Sequence, residues 1–162
     1  MKKKNKPIWG TRIKSKTTNT FMKVSSSLGI DRRLFKEDIK ASIAHVEMLN
    51  RQKIINFKTK NKIIWGLKRI NNQIVKKKYL FDYKDEDIHM SIEKSLFELI
   101  GDDAGFIHTA RSRNDQVLVD FKLWMINSNK KLIDLLDQTI KNILKIAEKN
   151  IYTVMPGFTH LK

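Results

Sequence analysis

Nine residues, His108-Thr-Ala-Arg-Ser-Arg-Asn-Asp-Gln116, gather two arginines, a serine, an asparagine, an aspartate and a glutamine around a single alanine. A long stretch of helical apolar spacing follows immediately. Ser112 and Asp115 fit the S-x-x-[DE] capping pattern, in which the serine side chain accepts from the first turn and the acidic side chain answers the serine's own amide. Capping accounts for those two residues only. Arg111, Arg113, Asn114 and Gln116 crowd the same helix start, where free backbone N–H groups and a positive dipole end already favour negative charge. Two guanidinium forks added there make a site for a carboxylate or a phosphate. On the residues alone, a solvated cap explains the segment as well as an anion site does.

A second cluster is MPGFTHLK, Met155 to Lys162. The Pro156-Gly157 turn presents Thr159 and His160 just beyond the long helical pattern. A histidine can carry a proton near neutral pH, although a single histidine after a turn also serves as a surface or capping residue. Other chemistries have no motif here: the chain contains no GKS/GKT phosphate loop, no GxGxxG and no HExxH. With no cysteine it forms no disulfide and no thiolate metal site, which fits a cytoplasmic setting.

The elements that must position these clusters read as helical throughout. Ile39, Ile43, Val46 and Leu49 line one face of a first clear helix. Asn56 to Lys62 reads as a connector, and Ile63, Leu67, Ile70 and Ile74 line a second helix. Asp85, Glu86 and Asp87 place negative charge in the opening turn of a third, whose face continues through Ile88, Ile92, Leu96 and Leu99 to a stop at Gly101. Val117, Phe121, Trp124, Leu132, Leu135, Leu136, Ile140, Ile143, Leu144 and Ala147 then define one helix of roughly 35 residues between Asp115 and Val154, long enough to suggest a bundle. The first 30 residues read as irregular, and no convincing strand pattern occurs.

At 162 residues and 41% apolar content, the chain can bury one core. No apolar run approaches the ~18 residues of a membrane span, and the basic MKKKNK start has no hydrophobic segment behind it, so no secretory signal is expected. The net charge of +16 invites a nucleic-acid partner. The excess is mainly lysine, and between Phe57 and Lys78 it interleaves with the apolar helical spacing, as a solvated amphipathic surface requires. We therefore expect no specific nucleic-acid partner, and any affinity to be weak and strongly salt-dependent.

WGTR (9–12), SSLGIDRRL (26–34), EDIHMSIEKSLFELIG (86–101), HTARSRNDQV (108–117), FKLWM (121–125) and MPGFTHL (155–161) occur in that order. In this the chain resembles the N-terminal part of the argininosuccinate lyase family, within the fumarase/aspartase superfamily. The likeness runs from about Trp9 to Leu161, with Gln52 to Tyr83 matching only in helical pattern. It implies an all-α fold: an N-terminal helical domain over 1–112, then the first long helix of a central bundle and the MPGFTHL turn over 113–162. It also implies reversible elimination of argininosuccinate to arginine and fumarate in arginine biosynthesis, without metal or organic cofactor, in a homotetramer whose sites are shared among three subunits.

Residue by residue, Arg113 and Asn114 match the family's substrate-binding positions, as do Ser27 and Thr159, and His160 matches its acid/base histidine. Asp31 and Arg111 either orient that wall or form local ion pairs. His89 either approaches the site or is a hydrogen-bonded structural histidine, His45 and His108 are expected to be structural, and Ser112 is assigned to capping. Two departures stand out. Lys162 occupies a position where the family carries glutamine, and the GSSxMPxKxN segment that holds the family's catalytic serine does not occur in these residues. The resemblance therefore predicts a truncated, split or domain fragment, and a noncatalytic structural protein on the same fold is the alternative.

Overall fold

A computed structural model describes residues 19–82, 84–155 and 157–160. Among them every regular element is helical: α1 (Asn19–Ser25), α2 (Leu28–Asp31), a 3-10 turn (Arg32–Leu34), α3 (Phe35–Arg51), α4 (Phe57–Val75), α5 (Ile88–Ile100), a 3-10 segment (Gly101–His108) and α6 (Arg113–Lys149). The WGTR motif and Lys162 lie outside the described residues.

Helix ends follow local chemistry. Asn56 caps α4 by accepting from the Thr59 amide at 2.8 Å. Asp87 caps α5 by accepting from Met90 at 2.6 Å. Ser112 and Asp115 form a reciprocal capping box at the start of α6, which satisfies donors that have no partner within the helix. Gly101 ends α5 with φ of 72°, a conformation that favours glycine.

Three expectations need correction. The Asn56–Lys62 connector is shorter than expected: the Asn56 cap starts α4 at Phe57, and the turn is completed by Lys53 at positive φ. Asp85 and Glu86 precede α5 rather than forming its first turn, because Asp87 takes the cap position. The first 30 residues are not irregular throughout, since α1 and the start of α2 fall within them. The long helix has the expected length: α6 runs 37 residues from Arg113 to Lys149, and Asn150 and Thr153 form a turn after it.

The core is built by α3, α4 and α5. Val46 and Leu49 of α3, Ile63, Leu67 and Ile70 of α4, and Ile88, Ile92 and Leu96 of α5 are fully buried together. Their spacing at three and four residues puts each set on one helical face. Gly66 lets α4 and α5 approach closely: a Cβ built there would stand 2.5 Å from Leu96 Cδ1 and 3.3 Å from Ile100 Cγ2. We expect Gly66→Ala to gain about 1 kcal/mol of helix propensity and lose about 1–3 kcal/mol to overpacking. Chemical denaturation should therefore show a net loss, whereas a gain would mean that Leu96 swings aside freely.

α6 packs against α3 in an unexpected way. The residues it buries are polar, Gln116 and Asp120, while Val117, Phe121, Met125 and Ile126 on its apolar side are 41–52% exposed. From Asn129 onward every described residue is exposed. No helix among the described residues is long and apolar enough to cross a membrane.

Candidate functional site

Three helix starts converge on one wall. Ser27, at the entrance of α2, is bound to the chain before α5 through its amide, which donates to the Glu86 carbonyl at 2.8 Å. Its hydroxyl donates to Asp31 Oδ2 at 2.5 Å, and Asp31 Oδ1 accepts from the Ile88 amide at 3.2 Å in the first turn of α5. Asp31 thus clamps α2 to α5. Burial pushes its pKa up, partly offset by the Ser27 hydroxyl and the Ile88 amide.

Arg113 reaches the same α5 start from α6. Its Nε lies 3.5 Å from Asp87 Oδ2, and one terminal nitrogen lies 3.4 Å from Glu93 Oε2. The other donates to Gln116 Oε1 at 3.0 Å. These ion pairs are long and the guanidinium is only partly covered, so an incoming carboxylate can compete for it. Glu93 is held below the ordinary carboxylate range: burial alone would raise it, but the His108 hydrogen bond and charge, with Arg113 behind them, outweigh burial. Asn114 is exposed at the α6 start and leaves its side chain free; its amide donates to Ser112 Oγ at 3.2 Å. Ser27, Asp31, Arg113 and Asn114 thus border one surface with exposed donors and a helix N-terminus.

Thr159 and His160 are not part of that wall. Both are exposed beyond the far end of α6, a 37-residue helix, which at a rise of about 1.5 Å per residue separates its ends by about 55 Å. Residues 150–160, even if fully extended back along the helix, would cover only about 40 Å. They are not extended: Thr153 folds onto Asn150 at the helix end. One copy of the chain therefore cannot place His160 beside its own Arg113. His160 itself has positive φ, 51°.

Beneath the wall lies a buried polar cluster. His89 Nδ1 is 3.1 Å from Asp38 Oδ1 and 3.4 Å from Asp120 Oδ2, and all three side chains are at most 1% exposed. Gln116 Nε2 donates to Asp38 Oδ1. Arg111 donates to Ser42 Oγ at 3.1 Å, and its charge acts on both Asp38 and Asp120. Thus Arg111 and His89 face inward, toward carboxylates, instead of toward the exposed wall. Arg111 is held by Ser42 with the Asp38 and Asp120 charges acting on it, and His89 is buried against both carboxylates. His45 Nε2 donates to the Thr109 carbonyl at 3.0 Å, and His108 pairs with Glu93 at 2.7 Å.

Sequence reasoning passed over Asp38, Asp120, Asp87 and Glu93. A signal for two of them exists: Asp38 and Ser42 sit four apart on α3, as do Gln116 and Asp120 on α6, so each pair forms a small polar stripe. A polar stripe reads as a solvated face until two such stripes are seen to meet. A surface hollow lies elsewhere, on α4 among Trp65, Lys68, Arg69 and Lys76, and includes none of the wall residues.

A family profile described as "Lyase" matches residues 11–162. A protein named argininosuccinate lyase from Pelagibacter ubique (strain HTCC1062) is 60% identical over 160 residues, covering 99% of this chain and 35% of that protein. Proteins of the same name from Ehrlichia chaffeensis (strain ATCC CRL-10679 / Arkansas) and Campylobacter jejuni (strain RM1221) are 49% and 45% identical over 156 residues, 96% of this chain and 33% and 34% of theirs. The chain spans about a third of the length of these curated relatives.

Proposed function

Since the chain belongs to the lyase family matched over residues 11–162, we propose that it supplies the N-terminal part of an argininosuccinate lyase, which splits argininosuccinate into arginine and fumarate. Removing a proton next to a carboxylate builds negative charge on that carboxylate, so the site needs fixed donors already aimed where charge develops. Arg113 and the amides at the α6 start are such donors, with Asn114 and Ser27 at the same wall. The departing guanidino nitrogen must gain a proton as the carbon–nitrogen bond breaks, which calls for an acid/base group besides the one that removes the proton. His160 takes one of these roles, with Thr159 beside it as a contact to substrate.

The observation that carries this reading is the length of α6. The two matched segments stand at opposite ends of a helix too long to let them meet, so a working site takes its Arg113 wall from one copy and its His160 turn from another. The helix length calls for at least two copies, the exposed apolar side of α6 supports their association, and the tetramer with shared sites is the assembly that the resemblance implies. The 162 residues contain no GSSxMPxKxN segment, so the remaining catalytic group comes from other residues of a complete lyase.

The test is mixed assembly. Alone, the 162-residue chain should give little or no fumarate from argininosuccinate. Co-refolded with a full-length argininosuccinate lyase inactivated at the residue aligned with His160, it should restore fumarate formation, read by absorbance. Absence of rescue despite proven co-assembly would count against the reading.

A further inference from the structure

Asp38, His89 and Asp120 come from α3, α5 and α6 and meet where no solvent reaches. Each has an atom that its neighbours leave unsatisfied: Asp38 Oδ2, His89 Nδ1 and both oxygens of Asp120 have no hydrogen-bond partner. Unpaired buried polar atoms are costly, and a carboxylate with neither oxygen satisfied is the costliest state of this cluster. We propose that Asp38, His89 and Asp120 hold one buried proton in common, and that this proton fixes the start of α6, with Arg113 on it, against α3 and α5.

Charge explains why one proton fits. Arg111 contributes one positive charge facing the cluster and Asp38 one negative. A proton on Asp120 beside a neutral His89 leaves the group neutral, as does the same proton moved to His89 beside an ionised Asp120. Without it, the interior carries an uncompensated negative charge; with two, a positive one. The three groups also offer ligand atoms within 4.8 Å of one another, spacing that a divalent cation could use. Two carboxylates, a neutral imidazole, Arg111 and such a cation would leave a net positive charge in the interior, so the proton is the better occupant.

Geometry favours placing the proton on Asp120. As a carboxyl group Asp120 becomes a donor, and Asp38 Oδ2 is the acceptor left open. Asp38 is the better anion because Gln116 and His89 already face its other oxygen. The two carboxyls are accordingly displaced in opposite directions. Burial and the Asp38 charge raise Asp120 to about 8. For Asp38, burial is outweighed by His89, Gln116 and Arg111, which lower it. The further charged groups around them are Glu37 of α3, Glu93 of α5 and Arg113 at the start of α6. This proton site belongs to the fold itself and is independent of the reaction proposed above.

Two substitutions of the same kind should then act oppositely. Asp120 is raised in the folded chain, so its stabilisation is complete at low pH and is lost as pH climbs toward about 8. His45 is lowered by burial and by Arg111, so its opposing contribution fades as pH rises past 6.5, leaving about 7–8 as the cleaner window. There the unfolding midpoint of the 162-residue chain should fall by roughly 3–5 °C per pH unit and level off above pH 8. Asp120→Asn, which mimics the protonated carboxyl, should fold and remove that slope. Asp38→Asn removes the negative charge that offsets Arg111 and should lower the midpoint at every pH.

Parallel slopes in wild type and Asp120→Asn, or an Asp120→Asn chain that fails to fold while Asp38→Asn folds, would overturn the proposal. If neither variant folds, the carboxyl carbon-13 shift of Asp120 in the wild-type chain decides: a protonated position at pH 6.5 supports the shared proton, and an ionised one refutes it. Added zinc that raises the wild-type midpoint but not that of Asp120→Asn would also refute it, assigning the cluster to a metal.

Discussion

His160→Asn in this chain should abolish its ability to restore fumarate formation to a lyase defective at the aligned histidine. In such a mixture the only intact histidine at that position comes from the 162-residue chain, so every rescued site depends on it. Losing an acid/base group costs roughly 10²- to 10⁴-fold in rate, which would return the mixture to its background. Arg113→Ala should weaken rescue without the same completeness in sites that draw the Arg113 wall from this chain. The guanidinium makes a charge-assisted contact to a carboxylate, and such bonds are about twice as strong as neutral ones. Its loss also leaves Asp87 and Glu93 facing each other without the cation between them. Rescue that survives His160→Asn would remove His160 from the reaction; rescue indifferent to Arg113→Ala even when the aligned arginine of the full-length partner is also replaced would remove the wall.

The second large effect concerns association. From Leu132 to Ile146, eight Leu and Ile residues of α6 are each more than half exposed. Burying such a side chain completely contributes about 1.5–3 kcal/mol, and most of a protein helix's stability comes from packing its apolar face, which this stretch lacks. The wild-type chain should therefore scatter light as an oligomer at micromolar concentration, with helicity that rises as concentration rises. Ile140→Lys with Leu144→Lys should shift it toward monomer and melt the distal half of α6, while the core of α3, α4 and α5, which those residues do not touch, keeps its cooperative transition. A wild-type chain that stays monomeric with α6 fully helical at every concentration would contradict this.

The helices were readable in the sequence because their cores obey a local period. Ile63, Leu67 and Ile70, or Ile88, Ile92 and Leu96, announce a buried face without reference to any other segment, and Gly101, Ser112 and Asp115 punctuate the ends through contacts within a few residues. The polar cluster was not readable, because its meaning is tertiary: Asp38, His89 and Asp120 lie on three helices, and although His89 alone could be read as a structural histidine, nothing near it in the sequence names Asp38 and Asp120 as its neighbours. The same limit hid the orientation of α6. Its apolar spacing marked a face that seeks burial but not which residues meet α3, where Gln116 donates to Asp38 and Asp120 is buried. The anion-binding wall stands between these cases. Its α6 half was visible in SRN, whereas the Asp31 clamp to Ile88 and the Asp87 and Glu93 partners of Arg113 appear only once α2, α5 and α6 are brought together.

The length of α6 also sets what kinds of change the gene can absorb. An inserted residue between Asp120 and Asn150 turns everything beyond it by about 100° and pushes it about 1.5 Å further along the axis. The capping box and the Asp120 contact hold the near end in place, so the whole error is delivered to the far end, where Thr159 and His160 sit. Substitutions along the exposed side of this helix act through what it sticks to and how firmly its far half stays helical. Insertions and deletions change where it points, and two compensating ones within the helix, one of each, do less harm than either alone. Length and rotational phase, more than residue identity, are what this stretch of the chain must preserve.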